Sequence, residues 1–331
     1  MRRLVLLATV AVVLWSGAAA RAETFVLIVS GLGGEEIYSE RFHDWSVRVL
    51  DAATKDGVAP DRMIYLAEDP TVDEERIDGV SRKENVEAEL RRLLSRASSE
   101  DQLWILLFGH GSQRDGHTRF NLPGPDITGA DFAALLEGAP VGTLAFVNAS
   151  SSSGSFLPTL SAANRVIVTA TRSGSERLAP NFGGFFSQAF VDGLGDVDKD
   201  ERVSLLEAFN YARVEVERDY RDSGRLPTEH ALLDDNGDGE GSLEPSITAA
   251  DGGLASRLFF ARGTEASDAS PEIAALLAEK DDLEDRIVSL RAQKDSLPED
   301  LYLEELQTLL VALAENREAT DALQVENPDD G

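Results

Sequence analysis

Short apolar runs alternate with segments of helical periodicity from residue 24 to residue 262. Residues 24–30 (TFVLIVS) predict a strand that ends at Gly31, and Phe42, Trp45, Val49 and Leu50 mark a helix over residues 41–54. Residues 63–67 predict a second strand. Ser81-x-x-Glu84 predicts a capping box at the start of a helix that runs through Val86, Leu90, Leu93 and Leu94. The third strand, residues 103–108 (LWILLF), is apolar throughout, as expected of a strand covered on both faces. A helix over 130–136, a strand over 143–147, a strand over 165–170, helices over 182–194 and 205–220 and a last strand over 254–261 follow. Strands alternating with helices predict an α/β fold of three layers, a mainly parallel sheet with helices on both faces. Sites in such sheets lie at the carboxyl ends of the strands.

Both ends of the chain depart from this pattern. Arg2 and Arg3 precede an apolar run over residues 4–15, and Ala20-Arg21-Ala22 forms an A-x-A site, so residues 1–22 are expected to be a signal peptide cleaved after Ala22. That predicts a periplasmic or secreted protein, and the apolar run is too short for a membrane span. At the other end, residues 264–270 (TEASDAS) read as a linker. Beyond it Ile273, Leu276, Leu283, Ile287, Leu290 and Leu297 fall on heptad a and d positions, and Leu303, Leu306, Leu310 and Leu313 continue the pattern after Pro298. A helical hairpin is expected there, packed on the domain or on itself, or offering residues 271–323 to a coiled-coil partner. The chain thus divides into residues 1–22, a domain over 23–263 and an acidic hairpin over 264–331.

Charge narrows the function. With 31 Lys and Arg against 60 Asp and Glu the formal charge is -29, and removal of residues 1–22 takes it to -32. Such a field repels phosphate, which excludes nucleic acid as a partner. There is no cysteine, which excludes disulfides, thiolate metal sites and a thiol nucleophile.

Two strand ends carry the candidate chemistry. The third strand runs into Gly109-His110-Gly111-Ser112, and the fourth runs into Asn148-Ala149-Ser150-Ser151-Ser152-Ser153-Gly154-Ser155-Phe156. This pair of motifs, with the order of strands and helices over about residues 24–262, resembles the caspase and legumain superfamily of cysteine peptidases. The resemblance implies a caspase-like sheet, a catalytic His110, an oxyanion hole that includes Gly111, a nucleophile at Ser150 or Ser151, and a polypeptide substrate or ligand. The left edge of the second motif aligns Ser150 with the family's cysteine, and the right edge aligns Ser151. A hydroxyl must lose its proton during attack, so it needs a well-oriented base where a thiolate does not. No acid stands at an obviously suitable position in the sequence to orient His110, which leaves Asp115 and Glu68 as the open alternatives. The glycine loop Gly31-Leu32-Gly33-Gly34 lacks the third glycine of a dinucleotide fingerprint and reads as a turn at the sheet's carboxyl edge. His43, His117 and His230 do not form a metal-ligand spacing and read as structural.

Calcium is the one cofactor expected. Asp196, Asp198, Asp200, Arg202 and Glu207 occupy positions 1, 3, 5, 7 and 12 of a twelve-residue EF-hand-like loop, although Glu201 stands where the sharp turn ordinarily has glycine. The bland alternative is an acidic entry to the following helix. Asp234, Asn236 and Asp238 repeat the first half of such a loop and predict a weaker second site, with a polar turn as its alternative. Three functions therefore stand open: a degenerate peptidase homologue that binds polypeptide and calcium, an active endopeptidase with a Ser-His dyad, and a calcium-stabilised structural module.

Overall fold

The computed structural model describes residues 22–114, 117–197, 202–260, 271–292 and 297–326. Residues 1–21 of the expected signal peptide and the whole linker lie outside the described residues. β1 (Thr24–Ser30) leads through α1 (Glu36–Lys55) to β2 (Met63–Ala67), and β3 (Gly79–Val80) leads through α2 (Lys83–Leu94) to β4 (Gln102–Phe108). β5 (Gly111–Arg114), β6 (His117–Phe120) and β7 (Ile127–Thr128) form a small antiparallel sheet that runs into α3 (Gly129–Leu135). β8 (Thr143–Asn148), α4 (Leu157–Leu160), β9 (Arg165–Thr169), α5 (Phe182–Ala189), α6 (Leu205–Asp222) and β10 (Leu232–Asp234) follow, and α7 (Pro271–Ala292) and α8 (Glu299–Glu326) end the chain.

The main sheet has the order β10-β9-β8-β4-β1-β2-β3 and is parallel except for β10, which pairs antiparallel with β9. Because side chains alternate across a strand, Val26 and Ile28 face one layer while Phe25, Leu27 and Val29 face the other. The first layer holds Trp45 of α1, Phe186 of α5 and Phe209 of α6; the second holds Leu90 of α2, Phe132 of α3 and Leu160 of α4. This is the expected α/β arrangement, helices on both faces of a mainly parallel sheet.

Four details differ from expectation. Residues 254–260 form no strand; Ala255–Arg257 is a 3-10 turn, and the tenth strand is Leu232–Asp234, whose three residues are too few to leave a periodic signal. The helix expected over 182–194 ends at Ala189. Ser81 does not cap α2, because the extended Arg82 is the N-cap residue and the buried Ser81 hydroxyl has no hydrogen-bond partner among the described residues. Capping boxes form instead at Thr128 with Asp131 and at Ser204 with Glu207.

α7 and α8 pack back along one another on Leu283, Ile287, Leu290, Tyr302 and Leu309. The α7 stripe is the expected one. On α8 Leu306 and Leu313 pack on this cluster as expected, but Tyr302 and Leu309 are buried in place of Leu303 and Leu310, which are exposed. Among the described residues no helix is long and apolar enough to cross a membrane.

Candidate functional site

The sheet order reverses between β1 and β4: β2 and β3 lie on one side of β1, and β4, β8 and β9 lie on the other. Loops that leave the two strands at such a point separate and open a crevice at their carboxyl ends. Gly31-Leu32-Gly33-Gly34 leaves β1 there and Gly109-His110 leaves β4, so the glycine loop is the expected turn at the sheet's edge and also a wall of the crevice. Gly31 N–H donates to the Phe108 carbonyl at 2.9 Å. A methyl group on Gly109 would lie 3.2 Å from the Gly31 Cα and 2.7 Å from the Phe120 ring, so glycine lets the two loops meet.

His110 is half-buried between the edges of two rings, with centroids 4.6 Å from Tyr38 and 5.2 Å from Phe42. Burial pushes its imidazole below the ordinary histidine range, against the opposing pull of a hydrogen bond with the Gly33 backbone and the charge of Glu35. The ring is therefore neutral at pH 7 and able to accept a proton. Glu68 reaches His110 only through that loop: its Oε2 accepts from Gly33 N at 2.9 Å and from Ser39 Oγ at 3.2 Å. Asp115, the other acid considered, lies outside the described residues.

β8 lies beside β4 in parallel register, with Leu107 opposite Asn148, which brings the serine-rich turn alongside His110-Gly111. Ser150, Ser151, Ser152 and Ser153 are all buried. The Ser150 hydroxyl donates to Asn148 Oδ1 at 2.6 Å. The Ser151 hydroxyl donates to the Gly111 carbonyl and accepts from the Gly111 N–H, both at 3.1 Å. Among the described residues no hydrogen bond joins His110 to either serine. The Gly111 N–H, which the family resemblance assigns to an oxyanion hole, is spent on Ser151.

A third segment completes the site without any signal in the sequence pattern. The Ser152 N–H donates to the Glu176 carbonyl at 2.7 Å, and Gly154 packs against the backbone of Arg172 and Ser173. Ser153 and Thr171 exchange hydroxyl and backbone bonds at 3.1 Å. The Glu176 carboxylate is fixed by His230 Nδ1 at 2.7 Å and Arg172 Nε at 3.1 Å. Residues 171–176 thus strap the turn from outside, and His230 serves that strap. His43 is likewise structural, accepting or donating at 3.0 Å with the Tyr65 hydroxyl. Burial raises the Tyr65 phenol above its ordinary range, which keeps it protonated.

The acidic loops are partly described. Asp198 and Asp200 lie outside the described residues; Asp196 is buried and Arg202 stacks its guanidinium 4.3 Å from the Phe259 ring. Glu207 Oε2 accepts from Ser204 N and Oγ at 2.9 and 2.8 Å, and its Oε1 reaches back to Val197 N at 3.0 Å. In the second loop Asp234 accepts from Gly237 N and Gly239 N, and Asp238 N donates to Asn236 Oδ1, the bonding of a polar turn. Among the described residues no group of three or more acids and histidines is arranged to hold a metal ion.

No protein-family model and no curated protein matches the chain. Among solved structures, caspase-1 from Spodoptera frugiperda is similar at a TM-score of 0.40 and 10% identity, covering 65% of this chain and 87% of that one.

Proposed function

We propose that the chain is an exported protein whose caspase/legumain-like domain binds polypeptide at the carboxyl ends of β4 and β8 without efficient hydrolysis. The observation that carries this reading is the fate of the two hydroxyl protons. Ser150 gives its proton to the Asn148 amide oxygen and Ser151 gives its own to the Gly111 carbonyl. Neither oxygen is basic enough to remove a proton during attack, and serine is a nucleophile only when a base does so. The test is to incubate the mature protein with fluorogenic peptides and a fluorophosphonate. Labelling no greater than that of His110→Ala is expected, while labelled peptides still bind. Robust cleavage lost in His110→Ala and in Ser150→Ala or Ser151→Ala would establish the active Ser-His endopeptidase instead.

Calcium belongs to the same reading. The Ser204 capping box holds Glu207 on the first turn of α6, and its reach to Val197 supports a loop drawn together by its twelfth position. A cation bound to the native state alone stabilises it by about 2.7 kcal/mol at a hundredfold excess over the dissociation constant. Millimolar calcium is therefore expected to raise the melting temperature, and Asp196→Ala or Glu207→Ala to remove most of that increment. Equal melting in calcium and in chelator would take calcium out of the function.

A further inference from the structure

A cavity of about 870 Å³ opens between α1 and the carboxyl end of β2, and neither the serine turn nor the calcium loops use it. Its volume lies in the range of ligand sites, roughly 300 to 1,000 Å³. The floor is rigid and polar: the buried Tyr65 hydroxyl bonds Ser30 Oγ at 3.1 Å, which bonds Ser46 Oγ at 2.8 Å. The rim is aliphatic, with Ile37 52% and Val72 65% exposed. The walls are acidic. Glu36, Glu40 and Asp44 recur every four residues, so one face of α1 turns all three toward the cavity, and Glu68 and Asp69 face them. Among the described lining residues Arg41 and His43 are the basic side chains.

Asp44 is paired with Arg48, but Glu36 and Glu40 have no ion pair among the described residues. Like charges four apart on a helix repel one another, so a cation placed between these walls would relieve a cost the fold bears without it. A small metal ion would leave the aliphatic rim and most of the volume unused. A lysine or arginine side chain uses both, laying its methylene stem on Ile37 and Val72 and its charge among the carboxylates. Gly31 borders the cavity, and Gly33 in the same loop holds His110. A polypeptide lying across that loop would span both sites.

We propose that this cavity binds the basic side chains of an extended polypeptide, an inference that rests on the polypeptide-binding reading above and names its ligand class. The test measures binding of fluorescent hexapeptides, one Lys/Arg-rich, one neutral and one Glu/Asp-rich, to the mature protein by anisotropy. The basic peptide is expected to bind at least tenfold more tightly than the neutral one. Glu36→Lys with Glu40→Lys is expected to erase that preference. Glu100→Lys with Glu137→Lys, equally exposed but away from the cavity, is expected to change it less than threefold. Equal loss in the two double variants would assign the preference to overall charge and overturn the site. Displacement of the basic peptide by spermidine at micromolar concentration would overturn the polypeptide assignment in favour of a small organic cation. Peptides that bind without regard to charge would defeat this inference alone, whereas no binding by any peptide would defeat the polypeptide-binding reading with it.

Discussion

Gly111→Ala is expected to lower the melting temperature by roughly 10 °C, because the carboxyl ends of β4 and β8 approach more closely there than a methyl group allows. A Cβ on residue 111 would lie 2.0 Å from the Ser151 carbonyl oxygen, 2.9 Å from Ser150 Oγ and 3.2 Å from the Arg119 carbonyl oxygen. Two of these three neighbours are backbone, so no rotamer change relieves the clash. Overpacking of this kind costs about 1 to 3 kcal/mol. Moving the strand ends apart also breaks the two hydrogen bonds between Gly111 and Ser151, each about 1 kcal/mol net. A total of about 3 to 5 kcal/mol, at roughly 2 to 4 °C per kcal/mol for a domain of this size, gives the expected shift. Calorimetry on Ser151→Ala separates the contributions, since that variant loses the bonds without the clash and should melt at an intermediate temperature. A Gly111→Ala protein melting within 2 °C of wild type would mean that the strand ends are not in this contact.

The strands that frame the crevice are legible in the sequence because parallel strands covered on both faces are apolar without interruption. Residues 103–108 advertise β4 as plainly as residues 24–30 advertise β1. The glycines around His110 are equally readable as a place where backbones meet. Hydroxyl direction is not. Ser150 and Ser151 look alike as letters, yet Ser150 turns back onto Asn148 within its own turn, and the register of β8 on β4 brings Ser151 onto Gly111. β5 escapes notice because Gly-Ser-Gln-Arg has no apolar alternation; its partners in β6, not its own side chains, make it a strand. The α8 register is ambiguous for another reason: Tyr302 and Leu309, or Leu303 and Leu310, would each complete a stripe. Asn316 Nδ2 donates to the Leu276 carbonyl at 3.0 Å, a contact compatible with the Tyr302 and Leu309 stripe facing α7.

Asp235→Ala is expected to destabilise the protein by roughly 3 kcal/mol or more, although the residue falls between two positions whose spacing reads as a metal loop. The Asp235 side chain is turned inward and is 9% exposed. Its Oδ1 accepts from Gly252 N at 2.9 Å, and its Oδ2 accepts from Leu254 N at 2.8 Å and Ala255 N at 2.9 Å. Removing the carboxylate strands three backbone donors, each costing about 1 to 3 kcal/mol when left buried without a partner. The segment it clasps continues to Leu258, whose carbonyl accepts from Leu205 N at the start of α6, and to Phe260, whose ring lies 4.4 Å from Trp104. The loss should therefore be visible in tryptophan fluorescence as well as in the denaturation midpoint, and Asp235→Asn should recover part of it. The neighbouring Asp251 sets the pH dependence. Burial raises its carboxyl above the usual range, with the nearby Asp235 and Asp234 charges acting in the same direction against the hydrogen bonds from Ser242 and the Asp235 backbone. Between the ordinary carboxylate pKa and the raised one the native state holds more protons than the unfolded chain, so the Asp251 contribution to stability declines as pH rises through that window. Asp251→Asn should flatten that decline while leaving Asp235 in place. A pH profile of stability identical in Asp251→Asn and wild type, or an Asp235→Ala protein of undiminished stability, would show that this clasp does not hold the end of the domain.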